Sequence, residues 1–193
     1  MNKIHYCPIG QVQRQFGIYV TGAGKEVTKP GEPYPHAYHS SDYYFTWKNG
    51  RALADWEYQL LYIRSGKGVI EFKRGKSISV RGGTVIILHP GEWHRYRPDP
   101  ETGWSEAYIG IGGEFLEHMF AEPFFRRPPT IIQLQPDGPF DLDLVALVDE
   151  IQAHRSQWKL ASGQLHTFQS SFTSGLALRQ YTSIGDEAPA STE

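Results

Sequence analysis

Short segments rich in β-branched and aromatic residues, separated by turn residues, fill the chain from Phe16 to about Ile111. Asn-Gly, Gly-Lys-Gly, Arg-Gly-Lys and Arg-Gly-Gly separate many of them, and Gly66-Lys67-Gly68 and Gly75 predict tight turns. Many short strands at such spacing predict an antiparallel sandwich or barrel. The strand-like segments are YYFTW, EYQLLYI, VIEF, SISV, TVIIL and AYIGI.

The hydrophobic pattern changes after Gly113, where EFLEHMF predicts a short helix and 128-PPTIIQLQPDGP-139 an extended connector. A longer helix is predicted from Asp141, since apolar residues recur at intervals of three to four residues. A second helix is predicted over 160–181, and the segment 183–193, which is mostly Gly, Ala, Pro, Ser and acidic residues, is typical of a linker or tail. The apolar residues of the first helix are Leu144, Leu147, Val148 and Ile151.

Composition limits the classes of partner. The chain has 193 residues and a net charge of −2, without the basic excess of a free-standing nucleic-acid binder. The single cysteine, Cys7, permits no internal disulfide, and no apolar run has the length of a signal peptide or membrane span. We therefore expect a cytoplasmic protein without membrane contact, whose direct partner is a small molecule or another protein.

The segment 84-TVIILHPGEWHRYRP-98 places His94 just after a Pro-Gly corner, where metal-dependent β-barrel enzymes keep one ligand. Such sites also need a His-x-His pair upstream, and 53-LADWEYQLLYIRSG-66 contains no histidine. Glu57 and Gln59 are the only plausible oxygen donors there, and His89 is separated from His94 by the corner. We therefore expect no catalytic metal and no cofactor.

The run from Tyr43 to Phe115 strongly resembles the N-terminal effector-binding domain of AraC-type transcriptional regulators. The specific matches are the Gly-Arg ahead of EYQLLYI, the Gly-x-Gly hairpin, and HPGEWHRY followed by Gly-Trp. The resemblance implies a mainly β protein, a cupin-like jelly-roll barrel followed by two C-terminal α-helices that dimerise, then a linker and a separate helix-turn-helix domain. The expected parts are a barrel with an N-terminal arm at 1–136, a helical dimerisation segment at 137–182 and a linker at 183–193.

The DNA-binding domain itself is not expected in this chain. From Asp141 to Glu193 there are seven acidic and three basic residues, whereas a DNA-reading helix needs lysines and arginines. We therefore expect DNA contact only through a C-terminal domain absent from this chain.

The resemblance also implies ligand-contacting positions. Sugar-responsive members use an arginine and a tyrosine that match Arg51 and Tyr96, while Glu106 and Tyr108 replace a histidine and a tryptophan. The set predicts a pocket for a small polar effector, above all a carbohydrate, because an arginine fork and a carboxylate bind hydroxyls and an aromatic face covers a sugar ring. The predicted ligand-binding residues are Arg51, His94, Tyr96, Trp104, Glu106 and Tyr108.

Structural alternatives exist for each of these residues. For Trp104 and Tyr108 the alternative is a place in the barrel core, and for Arg51 it is a surface ion pair with Glu106 or Asp55. For His94 the alternative is a structural role that fixes the Pro-Gly corner. The loop histidines His36 and His39 either fold over the barrel mouth or lie in solvent.

The predicted second helix carries an apolar stripe that must be buried against something. Pairing with a second copy predicts a homodimer, and packing onto the chain's own barrel is the alternative. The leading hypothesis is thus an effector-binding, dimerising regulatory domain that performs no chemistry. The rivals are a small metal-dependent cupin enzyme, of the sugar isomerase or dioxygenase type, and an oligomerisation domain whose barrel is filled by side chains. The stripe residues are Leu165, Phe168, Phe172 and Leu176.

Overall fold

The computed structural model describes residues 3–15, 17–40, 43–121, 130–136 and 138–153. The strands are β1 (Lys3–Tyr6), β2 (Tyr19–Thr28), β3 (Arg51–Ala52), β4 (Tyr58–Glu71), β5 (Ser77–Arg81), β6 (Thr84–Leu88), β7 (Trp93–Pro98), β8 (Trp104–Gly112) and β9 (Thr130–Gln133). The helices are α1 (Gln11–Gln15), α2 (Glu114–Ala121) and α3 (Pro139–Ala153).

The strands form two antiparallel layers that share β4. One layer has the order β1-β2-β8-β4-β6-β9. In the other, the second half of β4 pairs with β5 and β7, and β7 pairs with β3. The two layers enclose an interior, so the mainly β, cupin-like jelly-roll fold is confirmed.

The Gly66-Lys67-Gly68 segment does not form the predicted hairpin turn, because β4 runs through it as one strand. Its register with β8 shifts between Ile63 and Ser65, where the strand passes from the first layer to the second. Gly66 adopts φ 84°, and a Cβ there would collide with the backbone of Gly103. The glycines therefore serve a strand bend and a close approach. The turn predicted at Gly75 is confirmed, with φ 80°.

The predicted strand YYFTW is also absent, because residues 43–47 form an irregular loop. Its aromatic residues pack individually. Phe45 is buried inside the barrel, and the guanidinium carbons of Arg95 and Arg97 lie 4.2 and 4.1 Å from the Trp47 ring centroid. The prediction of a strand here was wrong because it rested on aromatic content alone.

Both faces of the first layer are buried, which gives the protein two apolar cores. Leu60 and Tyr62 of β4 point toward α2 and α3, and the alternate residues Leu61 and Ile63 point into the barrel. Strand alternation thus separates a core that fixes the helices from an interior that holds the polar side chains described below.

The predicted short helix and the helix near Asp141 are confirmed as α2 and α3, and all four predicted apolar residues of α3 are buried. Two ion pairs join α3 to the barrel: Arg64 to Asp141 at 2.6 Å and Lys25 to Asp149 at 2.5 Å. The predicted second helix and its apolar stripe lie outside the described residues. No helix of the described part is long and apolar enough to cross a bilayer.

Candidate functional site

Arg51 is the hub of a hydrogen-bond network inside the barrel. Short strand β3 carries it opposite His94 of β7. Its guanidinium donates to the Tyr43 carbonyl over 3.0 Å and to Gln59 Oε1 over 2.8 Å. A longer contact of 3.5 Å reaches the Tyr96 hydroxyl. The structure thus holds Arg51 with neutral acceptors instead of the surface carboxylates that were the alternative.

His94 lies fully buried between a backbone carbonyl and Arg51. Arg51 Nε donates to His94 Nε2 over 3.3 Å, and His94 Nδ1 lies 3.0 Å from the Glu92 carbonyl oxygen. Because a guanidinium only donates, Nε2 is the unprotonated nitrogen and Nδ1 carries the hydrogen. Burial first, and the Arg51 charge second, lower the pKa of His94 from 6.5 to about 3. His94 is therefore neutral at pH 7 and orients Arg51.

The neutral state of His94 makes folding stability depend on pH. The pKa of His94 in the folded state lies below the ordinary 6.5. The contribution of neutral His94 to the free energy of unfolding is therefore fully present above pH 6.5 and is lost as the pH falls toward about 3. When the pH is lowered from about 7 to 5, we expect the free energy of unfolding to fall by about 2 kcal/mol more in the wild type than in His94→Asn. Urea unfolding at both pH values measures the difference. Equal losses in the two proteins would show that folding does not lower the pKa of His94.

Glu106 faces the same interior from β8 and is bound by Tyr34. The Tyr34 hydroxyl lies 3.0 and 3.2 Å from the two carboxylate oxygens of Glu106. Burial first, and the neighbouring Glu26 second, raise the pKa of Glu106 well above 4.5. Burial and the Glu106 carboxylate likewise raise the pKa of Tyr34 well above its usual 10.0. Tyr34 is therefore a neutral donor at pH 7.

A second buried carboxylate, Glu26, lies directly opposite Glu106 in the β2–β8 register. Residues of the Pro-rich loop, 30-PGEPYPHAYH-39, contact Glu26. The Tyr38 hydroxyl lies 3.3 Å from it, and His39 Nε2 lies 3.0 Å from it. Nε2 of His36 lies 4.0 Å away. Of the two alternatives for the loop histidines, the structure places them over the barrel mouth.

Aromatic rings complete the interior and leave two polar atoms without partners. The Tyr34 ring meets Trp104 edge-on, with centroids 5.4 Å apart, and lies 5.9 Å from the Tyr96 ring. Trp104 Nε1 and the Tyr108 hydroxyl are buried without a hydrogen-bond partner among the described residues. Both residues are therefore part of the core, yet each keeps an unused donor, and Tyr108 lines the polar interior cavity. Buried polar atoms of this kind are rare and point to an additional partner.

The free space beside these side chains is small. The interior cavity measures about 20 Å³, which is room for about one water molecule. A larger cleft of about 590 Å³ lies along Lys67, Arg81 and Arg97, all of which are exposed. The interior is the better candidate site despite its size, because the buried carboxylates and the unpartnered donors are there.

Sequence reasoning missed three residues that hold this cluster together: Tyr34, Glu26 and Gln59. Tyr34 stands in the loop expected at the barrel mouth, but only long-range contact shows that it enters. Gln59 is noticed in the sequence only as a weak metal donor, whereas in the structure it accepts from Arg51. Glu57, the other oxygen donor considered for a metal, accepts a hydrogen bond from the Tyr43 hydroxyl over 2.7 Å.

The part of the chain that the structure describes contains no preformed cluster of metal ligands. No group of three or more His, Cys, Asp or Glu side chains in that part is arranged to hold a metal ion. His94 has both ring nitrogens engaged by protein groups. The cluster is therefore suited to hydrogen bonding and charge recognition, and the expected absence of a metal stays a prediction.

Several solved structures are similar to this chain in fold. Apo ToxT K231A from Vibrio cholerae is 12% identical, with a TM-score of 0.46, and the match covers 89% of this chain and 57% of that one. A Cupin 2 conserved barrel domain protein from Salinispora arenicola is 16% identical, with a TM-score of 0.35 and coverage of 62% and 82%. The Cnp3 cupin domain of Schizosaccharomyces pombe is 11% identical, with a TM-score of 0.36 and coverage of 65% and 72%. At these values the likenesses carry no argument about function.

A search of curated protein sequences finds no match. The family model of the AraC-like ligand binding domain, in contrast, matches residues 30–168, which is more than half of the chain. The match includes the Pro-rich loop, strands β3 to β9, and the residues of the site from Tyr34 to Tyr108, while β1, β2 and Glu26 precede it. The resemblance drawn from the sequence is thereby confirmed, and the chain belongs to the AraC-like ligand-binding domain family.

Proposed function

We propose that this chain is the effector-sensing domain of an AraC-type transcriptional regulator and binds a small polar metabolite, a sugar or a related compound, inside the barrel. One observation carries the proposal: buried donors and acceptors converge on an interior that leaves the Trp104 and Tyr108 donors unused. A ligand hydroxyl or charged group satisfies such atoms, and the surrounding rings cover its apolar face. The proposed contacts are Arg51, His94, Tyr96, Trp104, Glu106 and Tyr108.

A thermal-shift screen with pentoses, hexoses, uronic acids and oligosaccharides, extended to amines and amino sugars, tests the proposal. A ligand raises the melting temperature because it binds only the folded state. Stabilisation by at least one compound, lost in Arg51→Ala and kept in Arg81→Ala, supports the interior site. Stabilisation that depends on Arg81 and not on Arg51 moves the site to the outer cleft.

The rival function, a metal-dependent cupin enzyme, needs a metal bound at His94. We propose a domain without catalytic activity, because the His94 nitrogen that faces the interior accepts from Arg51 instead of offering a free lone pair. A positively charged guanidinium beside a metal ligand also opposes cation binding. We therefore propose that the cluster binds an effector and does not catalyse a reaction.

Elemental analysis distinguishes the two functions. Protein purified without added metal is expected to contain far less than one equivalent of zinc, iron, nickel or manganese, because the ligand set is too small. A second sample of His94→Ala serves as the matched control. Near one equivalent of any of these metals, lost in His94→Ala, would restore the enzyme hypothesis.

We further propose that the chain forms a homodimer through its C-terminal apolar stripe, with effector occupancy passed to a DNA-binding domain outside this chain. The stripe contains Phe168 and Phe172, which must be buried against a partner surface. A two-fold pairing buries the same stripe from both chains and sets the spacing of attached DNA readers.

Light scattering tests the dimer. The wild type is expected to be dimeric at tens of micromolar, and Phe168→Glu/Phe172→Glu is expected to be monomeric because two carboxylates cannot be buried in an apolar interface. A substitution of exposed Val27 by glutamate in β2, outside the predicted dimerisation segment, is the matched control and is expected to stay dimeric. A monomeric wild type, or a dimeric Phe168→Glu/Phe172→Glu variant, contradicts the proposal.

A further inference from the structure

The barrel interior contains two buried glutamates, which is more acidic groups than the binding of a neutral sugar requires. Glu26 and Glu106 are 1% and 2% exposed. They are direct cross-strand partners, a position in which the Cβ atoms of neighbouring strands lie about 4.5 to 5.5 Å apart. Two buried carboxylates at this separation repel each other strongly unless a proton or a cation is placed between them.

The arginine of the cluster, Arg51, lies across the cavity from Glu106 and its charge lowers the pKa of that carboxyl, but it forms no hydrogen bond with either carboxylate. Its hydrogen bonds go to the Tyr43 carbonyl, Gln59, His94 and the Tyr96 hydroxyl, and all four acceptors are neutral. The loop histidines approach only Glu26, and the Nε2 atom of His39, 3.0 Å from Oε1, is misaligned for a hydrogen bond. Among the described residues, Glu106 therefore has no cation in direct contact, and its hydrogen-bond partner is the neutral Tyr34 hydroxyl.

Tyr34 occupies the position in which a cation would be most stable. Its hydroxyl is a neutral donor placed against both oxygens of Glu106, and its ring fills the space among Trp104, Tyr96 and Phe45. Removing this ring from the interior would open space that the present cavity lacks. Tyr108, whose buried hydroxyl has no partner among the described residues, lines the same cavity and supplies an independent sign of a missing ligand.

We propose that the effector carries an ammonium group, as an amino sugar or another hydroxylated amine does, and that this group binds between Glu26 and Glu106 in place of the Tyr34 hydroxyl. The inference rests on the effector-binding function proposed above and deepens it. The ammonium group donates to both carboxylates with charge-assisted hydrogen bonds. Hydroxyls on the same molecule reach the Arg51 fork, and the faces of Tyr96 and Trp104 favour a cation nearby.

Binding of a cation releases a proton. Burial and the Glu26 carboxylate raise the pKa of Glu106, so the pair retains a proton when no cation is bound. An ammonium group favours the ionised form of Glu106, and its affinity therefore rises as pH rises through the pKa of Glu106. The other titratable and charged groups around the pair are Tyr34, His36, Tyr38 and His39 of the loop, Tyr43, Arg51 of β3, Tyr96 of β7 and Tyr108 of β8.

Matched pairs of compounds test the charge requirement. The pairs are glucosamine with glucose, galactosamine with galactose, and ethanolamine with ethylene glycol, each at about 10 mM, which is tenfold above a millimolar Kd. The assay is the melting temperature of the wild type and of Tyr34→Ala, whose interior is opened. At least one ammonium compound is expected to raise it by about 3 to 5 °C, and its neutral partner is expected to have no effect.

Two acid-to-amide variants locate the effect. Glu106→Gln is expected to abolish the shift, while exposed Glu101→Gln keeps it. Should Glu106→Gln not fold, calorimetry on the wild type in two buffers of different ionisation enthalpy measures the proton released on binding. A buffer-dependent heat that corresponds to proton release supports the inference, and a buffer-independent heat overturns it.

The remaining outcomes separate this inference from the function on which it rests. Stabilisation by neutral sugars alone, lost in Arg51→Ala, overturns the ammonium assignment and leaves the effector site in place. The absence of any shift in both proteins, with charged and neutral compounds alike, overturns the two together.

Discussion

Arg51→Ala is expected to weaken effector binding by about one to two powers of ten, since one buried charged hydrogen bond is worth roughly 1.5 to 3 kcal/mol. The same change leaves the Tyr43 carbonyl, Gln59 and His94 without their donor. We therefore also expect the free energy of unfolding to fall by about 2 to 3 kcal/mol. Calorimetric titration with the compound that shifts the melting temperature most measures the affinity, and urea unfolding measures the stability.

Two further variants separate charge from geometry. Arg51→Lys keeps the positive charge but lacks the planar fork, so it is expected to bind more weakly than the wild type and more strongly than Arg51→Ala. Arg81→Ala removes an exposed arginine from the outer cleft and is expected to leave the affinity unchanged. Unchanged affinity in both Arg51→Ala and Tyr96→Phe would place the effector site elsewhere.

Arg64→Ala is expected to lower the free energy of unfolding by about 3 kcal/mol and the melting temperature by roughly 6 to 12 °C. The Arg64 guanidinium lies 2.6 and 2.9 Å from the two carboxylate oxygens of Asp141. The Asp141 side chain is only 4% exposed, so its loss of a partner leaves a buried charge at the start of α3. Thermal unfolding followed by circular dichroism measures the change.

The second ion pair of α3 provides the matched control. Lys25 and Asp149 are 26% and 48% exposed, so Lys25→Ala is expected to cost less than about 1 kcal/mol. Arg64→Ala/Asp141→Ala removes the stranded charge and is expected to be more stable than Arg64→Ala alone. A loss in Lys25→Ala as large as that in Arg64→Ala would mean that burial does not decide the strength of these contacts.

The part of the site on β8 was predictable because strand alternation is a local property. Trp104, Glu106 and Tyr108 stand two residues apart, so one extended strand turns all three to the same face. Arg51 was predictable for a different reason, the resemblance of its flanking sequence to the family. Neither argument indicates which of these side chains keep unused hydrogen-bonding atoms, since that depends on packing from other strands.

The parts that could not be predicted depend on long-range contacts. A glycine-rich segment looks the same in the sequence whether it turns back or only bends, and the neighbouring Gly103 backbone decides for Gly66. Tyr34 is one of several tyrosines near the barrel mouth, and nothing in its local sequence indicates that its hydroxyl reaches Glu106. Glu26 was missed because it lies in none of the predicted strand segments, whereas in the structure it belongs to β2.

A crystal structure with the most stabilising compound bound tests the central claim most directly. The account predicts the compound inside the barrel, hydrogen-bonded to Arg51 and Glu106, with the Tyr34 hydroxyl no longer on the Glu106 carboxylate. A compound bound in the outer cleft beside Arg81, with Tyr34 still bonded to Glu106, would contradict it.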